Sequence, residues 1–235
     1  MKEEFDSPMG YFSTEAPSIN DRSFFYAETP PHMIRNLLFD LGGVIIDIER
    51  DNCVKAFEKL GLEDADSYFG DYAQTGVFMA IEDGSIGTDT FHRELHAKLP
   101  AQVSDNQIDD AFQAFITGIP AHRLAELRRL REAGYRIYLL SNTNPIMWNG
   151  VIAREFEKEG MCREDYFDGM VTSFEAGCVK PGEGIFRHTV EKLGIKPEET
   201  LFFDDSESNT RAAEALGFNT AWVRPGTEFT EYLPR

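Results

Sequence analysis

The chain has 235 residues, 42% of them apolar, with 41 acidic against 23 basic side chains and a formal net charge of -18. That length holds one ordinary domain with an insert, or two small domains, and the apolar share supports a buried core. The acidic surplus argues against nucleic acid or an anionic membrane as a partner, because either polyanion would be repelled.

Cys53, Cys162 and Cys178 are too few and too scattered for a disulfide framework or a zinc site. They predict reduced thiols in a cytoplasmic protein. Residues 1–32 carry Pro8, Pro17, Pro30 and Pro31 without a hydrophobic period. They predict a loosely held arm, not a secretory signal. No segment approaches the ~20 apolar residues of a membrane span. No oligomeric state is legible, and a monomer is consistent with the sequence.

The first strong element is Leu37-Leu38-Phe39-Asp40-Leu41-Gly42-Gly43. An apolar run ends in a carboxylate and two glycines follow, which predicts a buried strand delivering Asp40 to the rim of a sheet. A helix is predicted from Arg50 to Leu60, closed by Gly61. From there to about Pro120 the signals are helical only. Phe69 with Tyr72 fit one short helix and Phe78 with Ile81 another. Thr88 caps a third, and Ser104 to Gln107 has the form of a capping box before Ile108, Phe112, Phe115 and Ile116. Residues 51–119 therefore read as an all-helical cap inserted into a core made of 33–50 and 120–235.

Beyond Pro120 strands and helices alternate. A helix carries Leu124, Leu127 and Leu130, and a strand runs Arg136 to Leu140, ending at Ser141. A helix covers Asn149 to Glu159, and a strand Met170 to Thr172. Next come a helix Gly184 to Leu193, a strand Thr200 to Phe203 ending at Asp204-Asp205, a helix Glu207 to Leu216 and a strand Thr220 to Val223. Alternation with short connections predicts an α/β fold with a doubly wound parallel sheet, Rossmann-like in plan.

Several strands thus end in polar groups: Asp40, Ser141, and Asp204 with Asp205. Open α/β sheets bind ligands outside the carboxyl ends of their strands, so these groups should meet in one crevice. Lys180, in Gly177-Cys178-Val179-Lys180-Pro181, should reach the same edge. Crowded carboxylates need a cation, and an all-oxygen donor set selects Mg²⁺. One metal and one lysine turn this acidic rim into an anion site. His92 and His96, four apart, resemble a zinc-protease pair, but Arg93 stands where the glutamate should be, so they read as a helix face.

The segments Phe39-Asp40-Leu41-Gly42-Gly43-Val44, Leu140-Ser141-Asn142, Lys180-Pro181 and Phe203-Asp204-Asp205-Ser206 resemble, in order and spacing, the motifs of haloacid dehalogenase-like hydrolases. The resemblance spans about residues 33–225 and looks closest to the bacterial α-D-glucose-1-phosphate phosphatase-like branch. It implies a Mg²⁺-dependent phosphatase of small phosphorylated metabolites, sugar phosphates foremost. Asp40 would be the nucleophile and form an aspartyl-phosphate. Asp40, the Gly42 carbonyl and Asp205 would hold Mg²⁺, with Asp204 bound directly or through water. Ser141 and the amide of Asn142 would hold phosphate oxygens, and Lys180 would balance charge. Two other readings are a dehalogenase-type hydrolase, which needs no metal, and a non-catalytic phospho-ligand-binding protein.

One departure stands out. Most phosphatases of this family carry a second aspartate two residues after the nucleophile, as general acid and base; here that place is Gly42. Another carboxylate such as Glu49, Glu82 or Asp83 takes over, or the substrate leaves easily, or the protein only binds. The reading adopted from the sequence is the second, which points to anomeric phosphates. Substrate choice should lie in the cap, where Gly84 in Glu82-Asp83-Gly84 reads as a turn.

Overall fold

Strand β1, Asn36–Phe39, is wholly buried and lies in the middle of the sheet. The computed structural model describes residues 33–70 and 73–234. The arm read over residues 1–32 lies outside them, as does Tyr72. The described residues belong to one compact unit, His32–Arg235.

β1 is flanked by β4, Arg136–Ser141, and β6, Thr200–Asp204; outside these lie β5, Gly169–Thr172, and β7, Asn219–Trp222. Every neighbouring pair is parallel. Side chains alternate across this sheet, and both faces are apolar. Leu37, Phe39, Leu139 and Phe203 pack into one core, Leu38, Leu140 and Phe202 into the other. A parallel sheet covered on both faces needs such continuous apolar strands. Leu124, Leu127 and Leu130 of α5, Ala121–Glu132, enter the first core. Ile185 and Phe186 of α10, Glu183–Leu193, and Ala213 of α11, Glu207–Glu214, enter the second.

The segment between β1 and α5 is not helical throughout. A two-residue strand β2, Asp47–Ile48, pairs antiparallel with β3, Ile116–Gly118. The chain thus leaves and re-enters the sheet domain through adjacent strands. The sequence spacing put Ile116 on a helix; the partner strand far away in sequence overrides that local pattern. Between them lie α1, Arg50–Leu60, α2, Gly76–Glu82, α3, Thr88–His96, and α4, Asp105–Gln113. Their packing centres on Phe78, whose ring lies 5.1 Å from Phe57, 5.3 Å from Phe91 and 5.1 Å from Phe112.

Several ends differ from expectation. Gly61 closes α1 in the left-handed conformation and Ser104 makes its capping box, as the sequence implied. Gly87, not Thr88, caps α3. Phe69 makes a β-bridge to Gln74 and does not lie on a helix. The helix after β4 starts earlier than Asn149: Asn144 caps it by accepting from the Met147 N–H at 3.0 Å, and Pro145 takes the first turn. The His92 and His96 face is not merely solvated. His92 meets Asp109 at 2.7 Å and His96 meets Asp105 at 2.6 Å, tying α3 to α4. All three cysteines are free, and no helix among the described residues is long and apolar enough to cross a membrane.

A buried arginine that the sequence did not flag braces this region. Arg123 of α5 meets Asp47 at 2.7 Å and forks onto Glu228 at 2.8 and 3.0 Å. It also donates to the Ile45 carbonyl at 3.3 Å. The loop leaving β1, and with it β2, is thereby fixed against the C-terminal segment.

Candidate active site

Register brings the polar strand ends together. Phe39 lies opposite Leu139 and Phe203, so the next step along each strand sets Asp40 beside Leu140 and Asp204. The Asp40 N–H donates to the Phe203 carbonyl at 2.8 Å, which continues the ladder past the end of β1. Ser141 and Asp205 follow one residue further on.

Lys180 enters from the loop between β5 and α10. Its ammonium is 3% exposed by residue and sits 2.7 Å from Asp40 Oδ1 and 2.7 Å from Asp204 Oδ2. It also donates to the Leu140 carbonyl at 3.2 Å. Burial alone would lower its pKa, but Asp204 and Asp40 outweigh that and hold the ammonium above its ordinary value.

Asp204 is saturated. Besides Lys180 it accepts from the Ser206 N–H at 2.8 Å and from the Asn209 amide at 3.0 and 3.2 Å. Its oxygens are thus spent on orienting the lysine. Asp40 differs: its Oδ1 takes both the Leu41 N–H, at 2.7 Å, and Lys180, leaving Oδ2 without a hydrogen bond. The Asp205 carboxylate makes no hydrogen bond to another described residue either. Its backbone is held by the Trp222 indole at 3.0 Å, and the side chain lies against the Gly43 backbone. A Cβ on Gly43 would stand 2.3 Å from Asp205 Oδ2, and Gly43 has φ +69°, so glycine is required there twice over.

Gly42 is a different case. A Cβ there meets only Ile48, at 3.6 Å. Packing therefore does not exclude a side chain at the position of the missing acid.

Asn142 does more than expected. Its side-chain oxygen accepts from the Lys180 N–H at 2.9 Å and its amide donates to the Lys180 carbonyl at 3.0 Å. This two-bond clasp fixes the lysine loop to the end of β4. The Asn142 side chain is thus occupied, and only its backbone amide is left for a ligand.

The electrostatics call for a cation. Burial pushes the Asp40 carboxyl up to about 8 against the pull of Lys180, and Asp204 and Asp205 add repulsion. Burial, then Asp204, pushes Asp205 up to about 6. Oxygens of Asp40, Asp204 and Asp205 lie within 4.8 Å of one another. Three carboxylates with one lysine are short of positive charge, and an all-oxygen set of this kind fits Mg²⁺.

Asp40, Gly42, Ser141, Asn142, Lys180 and Asp205 all line one cleft. Its walls are apolar, from Ile46, Ile48, Phe115 and Ile116. Two polar groups enter from the helical segment, Gln74 and Glu82. Glu82 is one of the carboxylates that the sequence offers for the missing acid. Gln74 is not foreshadowed there, and nothing in its neighbourhood marks it. Asn209 also lines the cleft; its spacing after Asp204, on the first turns of α11, was the signal that could have found it.

The model of the haloacid dehalogenase-like hydrolase family matches residues 34–217. The chain belongs to that family. It is 37% identical over 201 residues to D-ribitol-5-phosphate phosphatase of Bacteroides thetaiotaomicron, covering 86% of this chain and 97% of that protein. It is 28% identical over 115 residues to glyceraldehyde 3-phosphate phosphatase of Pyrococcus abyssi, covering 48% of this chain and 45% of that one. Among solved structures it resembles a family enzyme of Bacteroides thetaiotaomicron in complex with magnesium and inorganic phosphate. That likeness has a TM-score of 0.79 at 38% identity, over 86% of this chain and 100% of the other. The family is thereby established; the glucose-1-phosphate branch within it is not.

Proposed function

We propose that this protein is a Mg²⁺-dependent phosphatase of small sugar or polyol phosphates, esterified at a primary alcohol, that works through an aspartyl-phosphate on Asp40. The observation that carries the reading is the rim itself: oxygens of Asp40, Asp204 and Asp205 gathered within 4.8 Å, with buried Lys180 bridging the first two, and Asp40, Asp205 and Lys180 lining one cleft. The enzyme is a phosphoric monoester hydrolase and its cofactor is Mg²⁺. D-ribitol 5-phosphate and glyceraldehyde 3-phosphate, the substrates named for two relatives, are both esters of primary alcohols. They draw the substrate class away from the anomeric phosphates that Gly42 suggested.

Asp40 is held through Oδ1, which leaves Oδ2 to attack phosphorus. The Ser141 hydroxyl and the Asn142 backbone amide hold phosphate oxygens. Lys180 neutralises charge on Asp40 as the bond forms. Asp40, Asp205 and the Gly42 carbonyl would hold the metal. Asp204, its oxygens already taken, would reach it through water. When bound, Mg²⁺ supplies the positive charge that draws a dianionic phosphate to a carboxylate nucleophile. A dehalogenase has no use for the third carboxylate, and a binding protein has none for a nucleophile with a free oxygen.

The test is phosphate release from D-ribitol 5-phosphate, glyceraldehyde 3-phosphate and α-D-glucose 1-phosphate, with Mg²⁺ and with a chelator. Turnover of the first two, abolished by chelation and by Asp40→Asn in folded protein, is expected. No Mg²⁺-dependent release from any ester would end the phosphatase reading. A clear preference for glucose 1-phosphate would return the substrate to the anomeric class.

A further inference from the structure

Glu82 is the last residue of α2, is 8% exposed, and lines the same cleft as Asp40. Its carboxyl makes no hydrogen bond and no ion pair among the described residues. That is unusual for a buried acid, since buried charges are almost always paired. Glu155, buried to 9% exposure, illustrates the rule: it meets Lys158 at 2.6 Å and accepts from the Ile119 N–H at 3.1 Å. Glu82 has no such partner, and the charge that acts on it is the negative one of neighbouring Asp83. Burial first, and Asp83 second, push it up to about 8, so it is mostly a neutral, proton-bearing carboxyl near pH 7.

Its position is fixed from the core side. The buried Ser173 hydroxyl donates to the Glu82 carbonyl at 2.6 Å and accepts from the Thr143 N–H at 2.9 Å. Thr143 directly follows Ser141-Asn142, so one hydroxyl ties Glu82 to the segment proposed to hold phosphate. Two residues on, Gly84 has φ +75° and backs onto the Phe174 carbonyl, where a Cβ would stand 2.3 Å away. The Glu82 turn is thus seated on the core and does not hang from the tip of the helical segment.

The titratable groups lining the cleft are Asp40, Glu82, Lys180 and Asp205. Asp40 is the nucleophile, Lys180 is locked between Asp40 and Asp204, and Asp205 faces Asp40 on the metal side. A primary alcohol is a poor leaving group, and the place for the usual acid is Gly42, facing only Ile48.

We propose that Glu82 is the general acid and base of this enzyme, taking the role that a side chain at Gly42 would have had; this rests on the phosphatase reading above. In the first half-reaction Asp40 Oδ2 forms a bond to phosphorus as the bond from phosphorus to the ester oxygen breaks. The Glu82 proton passes to that oxygen and the neutral alcohol departs. In the second, water attacks phosphorus, its proton goes to the Glu82 carboxylate, and the bond from Asp40 to phosphorus breaks. Inorganic phosphate leaves with Asp40 ionised and Glu82 protonated again.

The test is Glu82→Gln, an isostere of the neutral acid, assayed with Mg²⁺ on D-ribitol 5-phosphate and on p-nitrophenyl phosphate. Nitrophenolate leaves without a proton, so only the alkyl ester needs the acid in the first half-reaction. For the alkyl ester kcat/KM should fall by about 10²–10⁴-fold. For the aryl ester kcat/KM should stay within a few-fold, while kcat falls and one equivalent of nitrophenolate appears in a burst, because hydrolysis of the aspartyl-phosphate has lost its base. A merely structural or binding role would lower kcat/KM for both esters alike. That result, or no loss on either ester, overturns the proposal. Wild-type protein inactive on both esters would instead bring down the phosphatase reading beneath it. A cooperative melting curve with a midpoint at or above that of wild type at pH 6 confirms that the variant is folded.

Discussion

Two groups of residues at the cleft, the rim of the sheet and the pair Glu82 and Gln74 from the helical segment, are built on opposite plans. At the rim the supporting groups are spoken for, and the free oxygens are those of Asp40 and Asp205: Asp204 takes four contacts from three donors, one from Lys180, one from the Ser206 N–H and two from the Asn209 amide. Asn142 is clasped to Lys180, and Lys180 is held by two carboxylates and a carbonyl. In the second group Glu82 has no partner among the described residues, and Gln74 leaves its side-chain oxygen buried and unsatisfied. Saturation holds a constellation rigid before the substrate arrives, which is how preorganised sites lower barriers. Unsatisfied buried groups cost folding energy and are kept where a ligand satisfies them. On the proposed function the rim would serve the invariant part of the substrate, the phosphoryl group, and Glu82 with Gln74 would serve the alcohol.

The rim is the place to expect the largest single effect outside Asp40 itself. Gly43→Ala puts a methyl group 2.3 Å from Asp205 Oδ2 on a residue with φ +69°. It should displace Asp205 and weaken Mg²⁺ binding by about 10–100-fold, the usual cost of disturbing a metal ligand's support. Titration calorimetry with Mg²⁺ measures this directly. Gly42→Ala meets only Ile48 at 3.6 Å and should cost little stability. If the two substitutions prove equal in Mg²⁺ affinity, the close approach of Asp205 is not what holds the site.

At Glu82 the expected sign reverses. Glu82 has a folded-state pKa of about 8, raised from 4.5. The folded protein therefore keeps a proton that the unfolded chain gives up, and stability from this group is full below about pH 4.5 and lost as pH climbs through about 8. Glu82→Gln removes that loss. Relative to wild type the variant should gain on the order of 1–2 kcal/mol between pH 6 and pH 9, since a tenfold change in proton affinity is worth about 1.4 kcal/mol and the opening to the cleft softens the effect. Urea melts of both proteins across that range would show a gap widening with pH. A constant gap would mean that Glu82 is not a buried neutral acid.

How far this division could be read in the sequence depends on what sets each part. The strand ends at Asp40, Ser141 and Asp204-Asp205 were legible because a parallel sheet covered on both faces writes itself as apolar runs, and such runs stop where the polar groups begin. Lys180 was legible as a site residue, but the Asn142 clasp that seats it was not, since it joins residues 38 apart in sequence. Local patterning also misplaced Ile116, whose strand exists only because β2 lies beside it. Nothing in the sequence singled out Gly43; its φ of +69° and the approach of Asp205 from the end of the neighbouring strand β6 explain it. Glu82 stood as one acid among several. What singles it out is the absence of any counter-charge, a property of the packed molecule that no spacing encodes.

Gln74 offers the smallest effect and the finest division between the two groups. Its side-chain oxygen is buried without a donor, and the residue lines the cleft. Replacing it by leucine removes an unsatisfied acceptor and extends the apolar wall of Ile46 and Ile48, so Gln74→Leu should stabilise the protein by about 0.5–1 kcal/mol. If that oxygen receives a hydroxyl of the substrate, KM for D-ribitol 5-phosphate should rise about fivefold, with kcat for p-nitrophenyl phosphate little changed, because the aryl group brings no hydroxyl to lose. A saturated rim predicts the reverse at Asn209: Asn209→Leu deprives Asp204 of its amide contacts at 3.0 and 3.2 Å and should lower stability and the rate on both esters together. Should Gln74→Leu behave as Asn209→Leu does, the two groups are built alike after all, and substrate choice lies elsewhere in the helical segment.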